Sequence, residues 1–254
     1  MGTKITARGV DAELTATEYA APVRDGLLAW HFMSDNVAKS AKNYAPDQPD
    51  AVIVGAPTMI SGNGGVQFKS STDYLQTLFV EPTAATYFTV CRTLDTLADI
   101  AHRPYFFGAD GGAPLDGSGG ATFGTAFRVF AANALSAGFG RGTSVADDVA
   151  GTCTLTGITN TNWALIVHKV PGGSGVNTMI NKTTGASDDS NDAPAPRFPS
   201  AHTLRVGSGY NAAYLGTSEI AEWVAYERLL PDTEIDEVVA DIRAYQLRRF
   251  SRVV

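Results

Sequence analysis

Residues 216–235 read GTSEIAEWVAYERLLPDTEI and join the two patterns that decide the fold. The first half is a largely apolar run of strand type, and Pro231, Asp232 and Thr233 then supply turn and capping residues. Beyond them, apolar residues recur at helical spacing, at Ile235, Val238, Val239, Ile242, Tyr245 and Leu247. The segment predicts a strand followed by an amphipathic helix over residues 232–250 that lies on a sheet, with Asp232 or Thr233 as its N-cap.

The rest of the chain shows the pattern of a sheet protein. Short apolar or alternating runs are separated by clusters of Gly, Pro, Asn, Asp and Ser, and 26 of the 254 residues are glycine. The runs lie at 26–32, 51–54, 65–69, 87–94, 104–107, 126–130, 135–138, 152–155, 163–168, 177–181, 203–207 and 216–226. No alternation of strands and helices indicates a parallel sheet. We predict one all-β sandwich of two antiparallel sheets over residues 26–254, with residues 1–25 as an N-terminal arm or strand.

Composition limits the classes of partner. Hydrophobic residues make up 44% of the chain and charged residues 18%, which indicates a packed core. The formal net charge of -7 argues against binding nucleic acid or an anionic membrane, since both need a basic surface. Cys91 and Cys153 are expected to be buried free thiols. The first residues contain no apolar stretch of signal-peptide length, so we expect synthesis in a cytoplasm without a signal peptide.

The order of several short motifs resembles a known superfamily. Along the chain stand GLLAWHF (26–32), GGVQF (64–68), DYL (73–75), YFTV (87–90), NWAL (162–165), LRVG (204–207) and the closing segment at 216–235. This order is similar to concanavalin A-like, laminin G-like domains in the form found in bacterial and bacteriophage proteins, over residues 26–250. The resemblance implies a jelly-roll sandwich with a concave sheet face, whose rim loops hold sugars, proteins or lipids.

The resemblance also permits a test for catalysis. Members that hydrolyse β-glucans carry the carboxylate pattern Glu-x-Asp-x-x-Glu on one strand, and the nearest match here, residues 234–237, falls in the predicted helix. Glu219 and Glu222 are three residues apart on a strand, so they are expected on opposite faces and should not converge. We therefore predict a protein that is not an enzyme. A carboxylate pair from separate strands remains the alternative.

Aromatic residues in or beside loops are the candidates for sugar binding, because a sugar ring stacks on an aromatic plane while polar groups take its hydroxyls. Core packing is the expected role of Trp30, Trp163 and Trp223, which sit at strand positions. We predict a carbohydrate- or partner-binding surface formed by Tyr105, Tyr210, Asn211 and Tyr214.

The long loop over residues 183–199 is rich in Asp, Ser and Pro and is predicted to be functional or mobile. Sandwiches of this kind often hold calcium at a loop rim through carboxylates. Asp188, Asp189 and Asp192 are the weak candidate ligands, and a solvated acidic loop without metal is the alternative.

Two functions from different classes follow. The first is a non-catalytic accessory protein on the tail or capsid of a tailed bacteriophage, a homo-oligomer that docks on other virion proteins, binds cell-surface carbohydrate, or both. The second is a polysaccharide-acting enzyme or its sugar-binding domain. The single domain, the N-terminal arm, the expected lack of a signal peptide and the resemblance to phage-surface sandwiches favour the virion component.

Overall fold

The computed structural model describes residues 19–60, 62, 64–190 and 195–254, so residues 1–18, with most of the predicted arm, lie outside the described part. In that part fifteen strands form two sheets, named here sheet A and sheet B. Sheet A contains β1 (Leu27–Phe32), β3 (Thr58–Met59), β4 (Val66–Lys69), β6 (Ala85–Arg92), β11 (Ala164–Val170), β12 (Thr178–Asn181), β13 (Ser187–Asp189) and β15 (Thr217–Tyr226). Sheet B contains β2 (Val52–Val54), β5 (Tyr74–Val80), β7 (Tyr105–Gly108), β8 (Thr125–Ala131), β9 (Ala134–Arg141), β10 (Val149–Thr156) and β14 (Thr203–Val206).

The two sheets are antiparallel throughout their described strand pairs. Sheet A has the order β13-β12-β11-β6-β15-β4-β3, with β1 also paired to β15, and sheet B has the order β10-β9-β8-β7-β14-β5-β2. The helices are α1 (Val37–Ser40) and α2 (Asp232–Phe250), with a 3₁₀ turn at Ile100–His102. The predicted antiparallel sandwich with one C-terminal helix over residues 232–250 is confirmed.

An aromatic core fills the space between the sheets. Sheet A contributes Tyr87 and Trp223, and sheet B contributes Phe107, Phe127 and Phe139, all with no exposed surface. Ring centroids of Phe107 lie 4.9 Å from Tyr87 and 5.9 Å from Trp223. Burial of a large apolar side chain contributes roughly 1.5–3 kcal/mol, so this cluster is a main source of stability.

Helix α2 covers the other face of sheet A. Its buried residues Ile235, Val238 and Ile242 pack in one cluster with Trp30 and Phe88 of the sheet. The acidic residues of its first turn and the arginines of its last turn match the helix dipole. Sheet A is therefore packed on both faces.

Two details of the helix prediction are wrong. The residue before the helix is Pro231, without a side-chain capping bond, and the Asp232 carboxylate instead accepts from Lys169 at 2.7 Å. Leu247 is 57% exposed, whereas Gln246 is buried in the helix interface. The second error follows from the helical repeat. Gln246 lies eleven residues after Ile235, which is about three full turns, so it lies on the same buried face of the helix. Leu247, the next residue, is rotated away from that face.

A β-bulge overturns the prediction that Glu219 and Glu222 lie on opposite faces. The pairing of β15 with β6 shifts between Ile220 and Glu222, so Glu222 stays on the face that α2 covers. There its carboxylate accepts from Trp30 Nε1 at 2.8 Å and from Gln246 Nε2 at 2.7 Å. Glu219 bonds to Arg92 at 2.6 Å, and the Arg92 guanidinium lies over Trp163, which packs on the same outer cluster. Both carboxylates are buried and held by neighbouring side chains, Glu222 beneath the helix and Glu219 beside Arg92.

His168 of β11 points into the core between the sheets. Its ring lies 4.4 Å from Phe127 and 5.5 Å from Phe107, centroid to centroid, and neither ring nitrogen has a hydrogen-bond partner in the described structure. Burial lowers the pKa of His168 from 6.5 to about 3 and that of His31, in β1, to about 4. Both imidazoles are therefore neutral in the folded protein at neutral pH.

We expect the free energy of unfolding to fall as pH drops below about 6.5, where the unfolded chain protonates both histidines and the folded chain does not. The loss from His168 accumulates down to its folded pKa of about 3 and amounts to roughly 4–5 kcal/mol. In His168→Phe the slope of the free energy of unfolding against pH should correspond to about one fewer proton taken up on unfolding in acid. The substitution should cost little stability at pH 7, since it removes ring nitrogens that have no hydrogen-bond partner. Urea unfolding between pH 4.5 and 7.5 measures this, and His102→Phe, at an exposed histidine whose pKa is raised by its bond to Asp99, should keep the fall in stability towards acid. An unchanged slope in His168→Phe would contradict it.

Candidate functional site

The outer face of sheet B carries a cavity of about 680 Å³. Its floor lies over three neighbouring strands, β8, β9 and β10, whose residues facing the cavity are small except for Arg128. The small residues are Ala126, Ser136, Gly138, Ala150 and Thr152. Small residues on adjacent strands let a ligand approach the sheet closely, and we name this space the sheet B cavity.

Four segments of loop form the rim of the sheet B cavity. Residues 110–111 and 121–123 belong to the glycine-rich loop after β7, residues 145 and 148 to the loop after β9, and residues 202, 210 and 211 to the segments beside β14. Phe123 is 54% exposed, and its N–H donates to Asp148 Oδ2 at 2.7 Å, so two of the loops are tied together. Phe123 is the accessible aromatic ring of this rim.

Asp110 joins the rim to the floor. Its Oδ1 accepts from the Tyr210 N–H at 2.9 Å, and its Oδ2 accepts from the Tyr105 hydroxyl at 2.9 Å. The same hydroxyl accepts from Arg128 Nη1 at 3.1 Å. Burial, with the negative charge of Asp110, raises the pKa of Tyr105, so the phenol remains a donor at neutral pH. The network fixes Arg128 at the floor of the cavity.

Tyr210 is held on both faces of its ring. The Arg205 guanidinium lies 3.5 Å from the ring centroid, and the His202 ring stacks at 3.8 Å. Two groups this close to one centroid occupy opposite faces, so neither face is open to a sugar. The Tyr210 hydroxyl donates to Thr203 O at 2.9 Å. Tyr210 therefore shapes the rim with its edge and is not the stacking platform that its loop position suggested.

The structure divides the other predicted contact residues between the cavity and its support. Asn211 is exposed and lines the cavity together with Tyr210. Tyr105 has no exposed surface and Tyr214 is 6% exposed, and their rings meet edge to face at 5.2 Å. The Arg128 guanidinium lies 4.7 Å from the Tyr214 ring centroid. Tyr105 and Tyr214 are thus buried supports of Arg128, because strand β7 turns Tyr105 under the loop that carries Tyr214.

Sequence reasoning missed Phe123 and Arg128. Phe123 lies between Thr122 and Gly124 in a glycine-rich loop, and an isolated aromatic in such a loop is a weak signal of an exposed contact. Arg128 sits at an outward position of β8, between the inward residues Phe127 and Val129. A lone arginine on a strand carries no signal of a site, because its neighbours come from other strands.

The predicted calcium ligands do not form a cluster in the described structure. Asp188 and Asp189 lie next to each other on β13, so their side chains project to opposite faces, and part of the predicted loop is a strand. Asp188 Oδ2 accepts from the Thr154 N–H of β10 at 2.6 Å and so joins the edges of the two sheets. Asp192 lies outside the described residues. No group of three or more His, Cys, Asp or Glu suited to a metal occurs among the residues described, and calcium binding stays a prediction.

Among the described helices, none is both long and apolar enough to cross a membrane.

These features define a β-sandwich with a loop-rimmed cavity on one sheet. No protein-family model and no curated protein sequence matches the chain. Solved structures share the fold: the receptor-binding domain of botulinum neurotoxin C/D mosaic serotype has a TM-score of 0.57 and 10% identity, over 87% of this chain and 53% of that chain. The binding domain of botulinum neurotoxin DC in complex with SialylT has a TM-score of 0.56 and 6% identity, over 86% of this chain and 52% of that chain.

A third similar structure is of botulinum neurotoxin type C, whose cell entry depends on interaction with two ganglioside molecules. It has a TM-score of 0.55 and 7% identity, over 84% of this chain and 51% of that chain. The chain spans about half the length of these structures. At such identities the similarity shows a common β-sandwich fold and leaves the ligand to be argued from this chain's own residues.

We expect Asp110→Ala to lower the free energy of unfolding by about 2 kcal/mol, because the Tyr105 hydroxyl and the Tyr210 N–H both lose a charged acceptor. Asp116→Ala is the matched control in the same loop, since this exposed carboxylate accepts from Ser118 alone among the described residues. It should change stability far less than Asp110→Ala does. Urea unfolding of both variants makes the comparison, and equal effects would contradict the role assigned to Asp110.

Proposed function

We propose that the protein is a non-catalytic carbohydrate-binding module whose ligand lies in the sheet B cavity. The observation that carries this proposal is the floor of small residues beneath a rim with one exposed aromatic ring, Phe123. Its volume of about 680 Å³ falls in the range of about 300–1,000 Å³ that small-molecule sites occupy. The floor admits a flat ring, and Phe123 offers a face for its C–H groups.

Polar groups suited to sugar hydroxyls surround this floor. The Asn211 amide is exposed at the rim, and Arg128 and Asp148 line the cavity. Amides, guanidinium groups and carboxylates give directed donors and acceptors that fix the orientation of a sugar. The solved toxin domains that share the fold bind receptors or gangliosides, which supports recognition of a cell-surface glycan as the function of the sandwich here.

Hydrolysis of a polysaccharide has less support. A glycosidase needs one carboxyl group to protonate the leaving oxygen and a second to act on the opposite face of the sugar. Both oxygens of Asp110 accept structural hydrogen bonds. Asp148 holds the Phe123 N–H with one oxygen, and its other oxygen is buried from solvent. Neither carboxylate is presented as a free acid or nucleophile.

We propose that this binding takes place on the surface of a tailed-phage particle, where a homo-oligomer docks on other virion proteins and presents the sheet B cavity to cell-surface carbohydrate. The support is the resemblance to phage-surface sandwiches carried by residues 26–250. Immunogold labelling of gradient-purified particles should mark the tail or capsid. Particles without the protein would overturn this location and leave the carbohydrate proposal standing.

We expect Gly138→Phe to abolish glycan binding without unfolding the protein. A Cβ at Gly138 would meet only Ala150 Cβ and Thr152 Oγ1, each at 3.7 Å, which is ordinary contact, so the ring fills the cavity without strain in the sheet. A glycan array followed by calorimetry on the strongest hit should show a loss of affinity of 10-fold or more, as expected from steric exclusion.

Thr156→Phe is the matched control, because Thr156 is exposed on β10 but lies outside the cavity. It should bind like the unchanged protein. The proposal fails if no glycan binds, if both variants bind equally well, or if bound oligosaccharide is cleaved.

A further inference from the structure

Arg128 is the arginine that lines the sheet B cavity, and no carboxylate pairs with it among the described residues. Arg92 pairs with Glu219 at 2.6 Å, and Arg197 pairs with Glu81 at 3.0 Å. Arg128 makes its hydrogen bond to the Tyr105 hydroxyl, and its Nε is buried without a partner among the described residues. A partly desolvated cation without a counter-ion is unfavourable and therefore suggests that an anion completes the site.

The nearby acidic residue is already occupied. Asp110 directs one oxygen to the Tyr105 hydroxyl and the other to the Tyr210 N–H. The described part of the chain places no carboxylate within 4.0 Å of Arg128, although the protein as a whole carries a net charge of -7. The rings of Tyr214 and Tyr105, at 4.7 Å and 5.7 Å from the guanidinium carbon, hold the group in place.

Building on the carbohydrate-binding function proposed above, we propose that the ligand is an acidic oligosaccharide whose carboxylate binds Arg128. A guanidinium offers paired N–H donors that match the two oxygens of a carboxylate, and a fixed guanidinium loses little freedom on binding. Ser136, directly opposite Arg128 in the β8–β9 register, lies on the same floor and adds a hydroxyl.

The register also orients this ligand. Arg128 pairs with Ser136, and Ala126 pairs with Gly138, the next outward pair toward the rim that carries Phe123 and Asp148. Three residues of strand separate Arg128 from Thr125, where β8 begins, which is roughly 10 Å. The acidic unit therefore lies at the Arg128 end, because Asp148 repels a carboxylate at the other end, and a further sugar reaches Phe123.

The test compares oligosaccharides that differ only in their charge. The two probes are a tetramer of galacturonic acid, which carries uronic acids, and 3′-sialyllactose, which carries a sialic acid. Each probe is compared with a form whose carboxyl groups have been reduced to alcohols. For the acidic probe that binds, calorimetry on the unchanged protein should show 10- to 100-fold weaker binding of its reduced form. This is the change in affinity expected from losing one charge-assisted hydrogen-bonded pair. Equal affinity for the acidic and reduced forms overturns the inference and leaves the carbohydrate-binding function intact.

Variants locate the effect at Arg128. Arg128→Gln should lose at least 10-fold more affinity for the acidic form than for the reduced form, and Arg128→Lys should fall between because it keeps the charge without the paired donors. Arg24→Gln, at an exposed arginine beside sheet A, is the matched control. If Arg128→Gln loses affinity for the acidic and the reduced form by the same factor, the inference is overturned. No binding of any form by the unchanged protein overturns this inference, and a glycan array that is also negative overturns the proposed function.

Discussion

The pairing of β15 is the interaction on which the rest of the structure depends. One edge of β15 bonds to β6, and the other bonds to β4 in its first half and to β1 in its second half. Segments that are far apart in the chain therefore meet on one strand. Its inward residue Trp223 enters the core, and its outward residue Val224 packs beneath α2. Because β15 fixes sheet A between the core and the helix, the outer face that stays open to a cavity is that of sheet B.

The sequence could predict those parts of the fold that depend on local periodicity. Helical spacing located α2, and alternation with glycine-rich turns predicted the strands and hence the sandwich. It could not predict the bulge in β15, because alternation counting assumes an uninterrupted strand and the bulge arises from pairing with β6. The same limit explains the 183–199 loop, where β13 forms through pairing with β12. These errors concern contacts between segments, which no local pattern encodes.

The candidate site could be predicted only in outline. Tyr210 and Asn211 were recognised because they lie in a turn, and they do line the sheet B cavity. The closed faces of Tyr210 depend on Arg205 and His202, and the position of Arg128 depends on Tyr105 and Tyr214. Each of these relations joins residues on different strands or loops. Sequence reasoning therefore found part of the rim, whereas the floor and the unpaired cation required the sheet register.

The buried ion pair of Glu81 and Arg197 links the interior to the rim of this cavity. Arg197 donates to Gly140 O and Thr125 Oγ1, both at 2.8 Å, and the Thr122 hydroxyl donates to Phe198 O at 2.9 Å. Burial raises the pKa of Glu81, and the positive charge of Arg197 opposes that shift. Desolvation offsets much of the attraction in a buried pair, so its net stabilisation is small and its main effect is positional. By fixing residue 198 against β9 and against the loop that carries Phe123, the pair holds the rim before a ligand arrives, and a rim already ordered loses less conformational entropy on binding.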